Sequence, residues 1–431
     1  MNEPDAHRLS LAANAQPGAR RKGPYLVLLA CIVTLYCYNG AALPVLSPGL
    51  TGYFGISVME LGLLLAVPTL IGIISYAVTG PACDRWGGKK MLCIAILGIA
   101  LSFALCGAGT TLAIFAAGVL TNEFFSCVAG VCLPSYVARL YPGSHRRVFS
   151  LTLMTMSLSG VITPLVVGRL VTGFPDHFAR VLHAPYAILA VLLVVGAILF
   201  TRAPSDAPTE GDSVEKRVSL RAGLHLLSRP FMLVILLLAT LHATSDAVFS
   251  KWFPIYATRQ FGDALKHPGD VLMLFGLAYA VSRGALALAP EGWGQRALLI
   301  FPGLLGGSTL LACLWANNAR LMFWGYPIAG LMWSLEYPTL LSEASRRAPR
   351  YLASLLAVMA IVFLPFVAVV TAVVGALIEV MSRPQPTAPW WTHDLRLSMV
   401  ICPLGFILFG LIAAISGVGR RPKPDQSASQ P

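Results

Sequence analysis

Acidic side chains stand inside strongly apolar stretches of this sequence, where an unpaired charge is costly. Glu123 lies about halfway along one such stretch and has no Lys or Arg one helical turn away. A charge at the centre of a bilayer costs about 2.5–3.5 kcal/mol or more unless it is paired or faces water. A buried carboxyl without a partner can bind a proton near neutral pH. Glu123 is therefore the first candidate for proton coupling, and a structural pair with Arg283 is the alternative.

A second group of titratable side chains lies in a later apolar stretch. His242 and Asp246 are four residues apart, so they share one face of a helix. Histidine titrates near neutral pH, and this pair could relay protons. In the plainer interpretation, Asp246 only orients the imidazole or neutralises Lys251. Glu336 is the remaining acidic candidate for proton coupling.

Polar and aromatic side chains in these stretches could bind a solute. An aromatic ring beside a carboxylate, as at Trp333 and Glu336, suits a sugar or an organic cation, although bundled helices also pack with such rings. Arg283 could bind an anion, or it could pair with one of the acids. The predicted solute-binding residues are Tyr36, Asn39, Asn122, Arg283, Trp333 and Tyr337.

Signatures of the common enzyme and pump classes are missing. The sequence has no His-Glu-x-x-His zinc pattern, no Gly-x-Ser-x-Gly elbow and no phosphate-binding Gly-rich loop with Lys. The nine cysteines show no metal-ligand spacing. The net charge of +12 is scattered over short polar segments, which argues against a nucleic-acid surface. We therefore expect no enzyme activity, no cofactor and no metal.

Membrane-spanning helices must hold the candidate residues. The chain is 56% hydrophobic and only 12% charged, whereas a soluble domain is about 25% charged. Apolar runs of roughly 18 residues or more predict spans. The twelve predicted spans are 24–46, 58–81, 91–108, 111–137, 148–172, 184–201, 231–256, 270–289, 297–316, 320–341, 350–380 and 395–418.

The predicted fold class is an all-α membrane protein of two six-helix halves. The predicted segments are a tail at 1–23, a first half at 24–201, a polar central loop at 202–230, a second half at 231–418 and a tail at 419–431. Most Lys and Arg residues fall on the side of the two tails, and the positive-inside rule therefore predicts cytoplasmic termini. A plasma membrane location follows, which in a bacterium is the inner membrane.

The two predicted halves are related by a repeat. Trp86-Gly-Gly-Lys-Lys follows the second predicted span, and Trp293-Gly-Gln-Arg follows the eighth, 207 residues later. The same offset relates Pro142 to Pro349. Parallel repeats related by an axis along the membrane normal are one design of secondary transporters. The alternative from another class is a receptor or scaffold that transports nothing.

The loop between the second and third predicted spans carries a motif. It reads Gly80-Pro-Ala-Cys-Asp84-Arg85-Trp-Gly87-Gly-Lys89-Lys90. This segment resembles the signature loop of the major facilitator superfamily at every required position. The resemblance implies the fold of that family, in which spans 1, 4, 7 and 10 line a central cavity. It also implies a conformational latch, formed by Gly80, Asp84, Arg85, Gly87, Lys89, Lys90 and Arg139.

Departures from the family pattern narrow the expected function. Glu291 stands where the second copy of the motif would carry its Asp, and Thr163 precedes Pro164 where the antiporter signature has Gly. The second predicted span lacks the Arg of nitrate-type relatives, which argues against nitrate. The segment beginning at Glu336-Tyr-Pro resembles sugar–proton symporters of the fucose type.

The expected function is proton-coupled uptake of a sugar or organic anion. The incomplete antiporter signature and the buried acids favour uptake, and efflux of a drug or metabolite by proton antiport is the alternative. We expect a monomer whose partners are the solute, protons and the lipid bilayer, with no nucleic acid.

Overall fold

The computed structural model describes residues 19–140, 145–204, 230–265, 267–290, 294–347, 352–382 and 394–419. Within these ranges the chain is helical, without β-strands. The helices of the first half are Ala19–Tyr36 and Tyr38–Phe54 (span 1), Val58–Trp86 (span 2), Gly88–Ala108 (span 3), Leu112–Leu140 (span 4), His145–Gly173 (span 5) and Phe178–Phe200 (span 6). The predicted all-α fold is confirmed.

The second half repeats this arrangement. Its helices are Pro230–Phe261 (span 7), Pro268–Leu288 (span 8), Ala297–Ala316 (span 9), Ala319–Trp333 and Glu336–Arg347 (span 10), Leu352–Met381 (span 11), and Arg396–Met399 and Ile401–Ser416 (span 12). Short 3₁₀ turns stand at Pro175–His177 and Gly262–Leu265. In the described part of the chain, eleven helical segments are long and apolar enough to cross a membrane.

Span 10 is the predicted span that is absent from these eleven segments. Its two helices contain 15 and 12 residues, and each is shorter than the roughly 20 residues that a crossing needs. Ser334 and Leu335 separate them. Broken helices at membrane depth occur where neighbouring protein satisfies the freed backbone groups, and they are common beside transporter sites. The break lies directly before Glu336, one of the predicted functional residues.

Span 1 differs from its predicted length. The sequence prediction ended it at residue 46. The helix instead continues to Phe54 and ends at Gly55, whose φ of 65° favours glycine. A membrane helix tolerates such prolines where neighbouring helices satisfy the freed backbone groups. Span 1 also has an interruption at Cys37, whose amide donates to Val33 O (3.2 Å).

The two halves pack against each other along two helix pairs. Span 5 contacts span 8, and span 2 contacts span 11. Glycines allow the backbones to come close: a Cβ on Gly269 would lie 3.4 Å from the Cα of Gly168, and one on Gly375 would lie 3.3 Å from the Cα of Gly62. Small residues serve this purpose in membrane interfaces, because lipid supplies no hydrophobic force between helices.

With the two short helices of span 10 counted together as one crossing, the described helices make twelve crossings. Residues 19 and 419 then fall at the same face of the bundle, which we call the terminus face; the opposite face is the far face. At the far face the halves are in contact. Arg169, at the end of span 5, donates to the carboxylate of Asp270, at the start of span 8 (3.2 Å). The Arg169 side chain is 59% exposed, so the pair stabilises the contact by at most about 1 kcal/mol. Helix packing therefore supplies most of the contact between the halves at this face.

Candidate functional site

A cavity of about 380 Å³ lies between the two halves. Helices of spans 1, 4 and 5 from the first half line it, together with spans 7 and 8 from the second. The chemically relevant lining residues are Tyr36, Asn39, Asn122, Glu123, Ser126, Ser157, Ser250, Tyr279 and Arg283. A cavity shared by both halves changes shape when the halves move, so it is the candidate solute site.

The break in span 1 opens one wall of this cavity. Tyr36 precedes the break, and its hydroxyl is buried with no partner in the described structure beyond a weak contact with the thiol of Cys37. A buried hydroxyl without a full hydrogen bond is costly. A solute oxygen in the cavity could supply the missing partner.

Asn39 and Asn122 belong to a network that fixes spans 1, 3, 4 and 6 together. Asn39 Nδ2 donates to Asn122 Oδ1 (3.0 Å), and Asn122 Nδ2 donates to Ser102 Oγ (3.2 Å). Tyr186 Oη donates to Asn39 Oδ1 (2.7 Å). Both predicted solute-binding amides line the cavity, but protein partners already occupy their polar groups. The two amides form a rigid polar wall and leave few unused donors or acceptors for a solute.

Glu123 lies half-buried on the wall formed by span 4. The thiol of Cys127, one turn along, is the weak donor to its Oε1 (3.9 Å). Glu123 also interacts electrostatically with Lys251 of span 7. The alternative pairing with Arg283 is not formed among the described contacts, although both residues line the cavity. The carboxyl therefore faces the cavity without a close cation.

Arg283 reaches from span 8 to the first half. Its Nη1 donates to Leu153 O (3.2 Å) and Ser157 Oγ (2.9 Å), and its guanidinium lies 4.3 Å from the ring centre of Tyr279. Its Nε is buried and has no partner within the described residues. Asp246 is close enough to interact with it electrostatically. The arginine therefore keeps one unused donor.

The predicted His242–Asp246 pair is replaced by two separate contacts. His242 Nδ1 lies 2.8 Å from Glu336 Oε2, whereas Asp246 Oδ1 accepts from Tyr279 Oη (2.5 Å). The four-residue spacing places His242 and Asp246 on one face of span 7. Each side chain nevertheless contacts a residue of another helix instead of its neighbour on span 7. Tyr279 also accepts a hydrogen bond from Trp333 Nε1. Tyr279 therefore connects the Asp246 carboxyl to the Arg283 guanidinium.

Trp333 and Tyr337 lie outside the lining of the cavity. Trp333 is fully buried and stacks on Phe406, with ring centres 4.0 Å apart. Tyr337 stacks on the imidazole of His242 at 5.6 Å. The packing interpretation therefore accounts for their contacts in this conformation, and direct solute binding by them stays a prediction.

Glu336 begins the second helix of span 10 and is fully buried. One carboxylate oxygen contacts His242, and the other, Oε1, has no partner in the described structure. Gly303 of span 9 makes room for it, since a Cβ there would lie 2.6 Å from Oε1. Glu336 and His242 thus form a buried pair that is separate from the cavity lining.

Replacing His242 by Ala should destabilise the protein strongly, because it would leave the Glu336 carboxyl buried without its partner. Leaving a buried polar group without its hydrogen-bond partner costs about 1–3 kcal/mol. The check is the melting temperature of the purified protein in detergent. His177→Ala, at an exposed position, is the matched control and should melt like wild type. If His242→Ala melted at the wild-type temperature, the contact between His242 and Glu336 would not contribute to stability.

The predicted latch loop is partly visible. Gly87 ends span 2 with a φ of 85°, which favours glycine. Lys89 Nζ donates to Thr201 O (2.7 Å) and to Ala203 O, at the end of span 6. Lys89 thus caps carbonyl groups of its own half, as cations do at helix C-termini. Lys90 is exposed, and a Cβ on Gly80 would meet open space. The side chains of Asp84, Arg85 and Arg139 lie outside the described residues.

Sequence reasoning did not select Tyr279 or Ser157 for this site. Tyr279 stands four residues before Arg283 on span 8, so helical spacing could have placed its ring under the guanidinium. No local signal in the sequence marks Ser157, because its role depends on the packing of span 5 against span 8. Lys251 also lies within a span. Sequence reasoning considered it only as a charge that Asp246 could neutralise.

Comparison with known proteins agrees with this architecture. The sequence model of the Major Facilitator Superfamily matches residues 28–372. The chain therefore belongs to the Major Facilitator Superfamily, and it is a membrane transporter of that family.

Relatives with different names match parts of the sequence. The probable nitrate/nitrite transporter NarK2 of Mycobacterium tuberculosis is 27% identical over 292 residues, 65% of this chain and 69% of that protein. The class H tetracycline resistance protein of Pasteurella multocida is 24% identical over 266 residues, 60% of this chain and 64% of that protein.

Solved structures share the fold. FucP in the outward conformation superposes with a TM-score of 0.67 at 16% identity, covering 93% of this chain and 99% of that one. The human organic anion transporter MFSD10 gives a TM-score of 0.64 at 16% identity, covering 92% and 100%. At such identities the likeness concerns the fold alone.

Proposed function

We propose that this chain moves a small polar solute by alternating access, coupled to protons in symport. The observation that carries the proposal is the cavity between the halves, in which Arg283 and Tyr36 keep unused donor capacity and Glu123 lacks a close cation. In this scheme the halves rock about the cavity, which opens to each face in turn. The contact between the halves at the far face corresponds to one stage of that motion.

An organic anion fits the cavity better than a neutral sugar does. Arg283 supplies a permanent cation on the wall, and its free Nε can donate to a carboxylate oxygen. Tyr36 and Ser157 supply hydroxyl groups for the rest of the solute. One relative is named as a probable nitrate/nitrite transporter, which agrees with an anionic solute. Span 2 has no Arg within 58–80, so nitrate itself stays disfavoured.

Proton coupling is assigned first to Glu123. It is the acid of the cavity wall, whereas Asp246, His242 and Glu336 lie in the interior of the second half. A proton on Glu123 would remove a negative charge that repels an incoming anion. The other three groups are the reserve candidates for the same role.

Efflux by proton antiport is the second candidate. The relative named as a tetracycline resistance protein supports it, and so does the apolar character of much of the lining, such as Met156, Leu272 and Phe275. The incomplete span 5 signature and the cationic Arg283 favour the symport. The sign of the proton flux that accompanies solute entry into liposomes separates the two.

The positive-inside pattern supports placing the terminus face in the cytoplasm and the protein in the plasma membrane, which is the inner membrane of a bacterium. On that placement the far face opens outward. The latch assigned to Asp84 and Arg139 would then hold the cytoplasmic side closed while the far face is open.

Replacing Arg283 by Gln is expected to abolish stabilisation by the solute. A thermal-shift screen of sugars, carboxylates, amino acids and drugs on the purified protein first finds the solute. The charge-assisted contact is worth about 1.5–3 kcal/mol, so affinity should fall roughly 10- to 100-fold in Arg283→Gln. Arg320→Gln, which removes an exposed cation, is the control and should bind like wild type.

Unchanged affinity in Arg283→Gln would remove the anion proposal and return neutral sugars to first place. Counterflow of the solute in liposomes containing the pure protein tests transport itself. If no candidate solute exchanged, a receptor or scaffold would become the better interpretation.

A further inference from the structure

The cavity between the halves is more polar toward the terminus face and more apolar toward the far face. Span 5 runs from the terminus face to the far face, and its lining residues pass from Ser157 to Pro164 in that direction. Span 8 runs the opposite way, and its lining residues pass from Leu272 and Phe275, nearer the far face, to Arg283. Two helices from different halves therefore give the cavity the same polarity.

Hydrogen bonds within the protein occupy most other polar groups of the lining. Ser159 Oγ lies 3.3 Å from Thr163 Oγ1, and Ser250 Oγ lies 3.1 Å from Tyr326 Oη. The two lining amides are bonded to each other and to neighbouring helices. A solute with many hydroxyl groups would find few partners here, and burial of an unpaired hydroxyl is costly. The apolar part of the lining instead suits a solute body without polar groups.

The charges of the lining match a solute with a single carboxylate. Among the described lining residues, Arg283 is the cation and Glu123 is the acid. A first carboxylate can accept a hydrogen bond from the unused Nε of Arg283. A second carboxylate would share the cavity with Glu123 and would have no further cation on the described wall, and a buried charge without a partner is costly. A monoanion therefore matches the wall better than a dianion does.

Phe275 places an apolar ring on the same wall as the cation. On span 8, Phe275, Tyr279 and Arg283 stand four residues apart, so their side chains follow one face of the helix. The ring centres of Phe275 and Tyr279 are 4.4 Å apart, and the guanidinium carbon of Arg283 lies 4.3 Å from the ring centre of Tyr279. Phe275 also stacks on Tyr326, with ring centres 4.4 Å apart. These contacts hold the Phe275 ring in place, separated from the cation by a single tyrosine ring.

We infer that the transported solute is an amphipathic monocarboxylate, whose carboxylate binds Arg283 and whose apolar body lies against Phe275 and Leu272. This inference rests on the proposed transport of an organic anion, and it names the class of anion that the site takes. The cavity of about 380 Å³ lies in the size range of pockets that enclose small organic ligands. An aromatic ring joined to a carboxylate by a short chain is such a solute. Phe275 is then a specificity-determining residue, because its ring removes the apolar surface of the solute from water.

The test is isothermal titration calorimetry near neutral pH, with the protein in lipid nanodiscs and empty nanodiscs as the blank. 3-Phenylpropionate is the probe with one carboxylate and an apolar ring. Its comparison probes are 3-phenylpropanol, which lacks the charge, 2-phenylsuccinate, which adds a carboxylate, and gluconate, which has hydroxyl groups instead of the ring. 3-Phenylpropionate should bind more tightly than each of them by about tenfold or more, since a charge-assisted hydrogen bond and the burial of a ring are each worth that much.

Phe275→Ala tests the apolar contact through selectivity. The ratio of the affinities for 3-phenylpropionate and propionate, which differ only in the ring, should fall about tenfold in this variant. A purely structural defect would weaken both ligands and leave the ratio as it is, which would contradict the role of Phe275. Phe301→Ala, at a position 57% exposed on span 9, is the matched control and should keep the wild-type ratio. If Phe275→Ala does not fold, the comparison of probes on the wild-type protein decides alone.

Tighter binding of gluconate or 2-phenylsuccinate than of 3-phenylpropionate would overturn the inference while leaving transport of an organic anion intact. Equal binding of 3-phenylpropanol would also overturn it, because the carboxylate would then have no role. If none of these probes bound, the solute found in the thermal-shift screen would decide: another apolar monocarboxylate would support the inference, and any other solute would overturn it. Absence of counterflow for every solute would instead count against the proposed function.

Discussion

Replacing Glu123 by Gln is expected to abolish accumulation driven by a pH gradient and to leave solute exchange intact. A 1:1 symporter in a gradient of one pH unit can accumulate solute about tenfold, because that gradient stores about 1.4 kcal/mol. Gln cannot bind or release a proton, so the ratio should fall to about one. Counterflow needs no net proton movement, and Gln resembles the protonated acid in shape and charge. The measurement is uptake of the solute found in the thermal-shift screen, in liposomes with and without the gradient.

Glu60→Gln is the matched control for this experiment. Glu60 is an exposed acid at the far-face start of span 2, where its carboxylate accepts from the backbone amide of Ser57 (2.7 Å). Gln satisfies the same capping box, so accumulation should equal that of wild type. Accumulation that persists in Glu123→Gln would move the coupling role to Asp246 or Glu336. Loss of both accumulation and counterflow would point to a structural role for Glu123.

The overall architecture could be predicted from the sequence because its causes are local or periodic. Apolar runs indicate the spans, charge alternation predicts their direction, and the 207-residue offset from Trp86 to Trp293 relates the halves. Span 10 shows the limit of this reasoning. The run 320–341 has the composition of a crossing, but the break at Ser334 depends on cross-helix packing. One such contact joins the hydroxyl groups of Ser282 and Ser334, and no periodic pattern in the sequence reports it.

The candidate site was predicted as a set of residue types but not as a set of contacts. Glu123 and Arg283 line the cavity as expected, since ionisable groups at membrane depth rarely face lipid. The predicted partner of His242, Asp246, was wrong. Four-residue spacing relates residues of one helix, whereas Glu336, which contacts His242, lies on another helix. Lys251 was visible in the sequence as a cation within a span. Its ammonium group donates to acceptors on span 2, and these became evident only when both halves were placed side by side.

Replacing Gly276 by Ala is expected to have a large effect on stability and transport, because Gly276 lies where span 8 packs against span 5. A Cβ at Gly276 would lie 2.4 Å from both the carbonyl carbon and the oxygen of Gly160, and 2.8 Å from Val161 N. These are backbone atoms of a helix and cannot rotate aside. Gly276→Ala should therefore force the two helices apart, lower stability by about 1–3 kcal/mol and reduce transport more than tenfold. The melting temperature and counterflow measure the two effects.

The same contact offers an internal control, because it is asymmetric. A Cβ at Gly160 would meet Gly276 Cα at 3.6 Å, an ordinary contact, and one at Gly173 would meet nothing within 4 Å. Gly160→Ala should thus melt close to wild type although it faces the same partner, and Gly173→Ala should keep both stability and transport. If Gly160→Ala and Gly276→Ala lowered the melting temperature equally, helix propensity or general crowding would explain the loss. The clash with the Gly160 backbone would then not be its cause. Full transport by Gly276→Ala would show that transport does not require this close approach of spans 5 and 8. The halves would then pivot at the contact between spans 2 and 11 during alternating access.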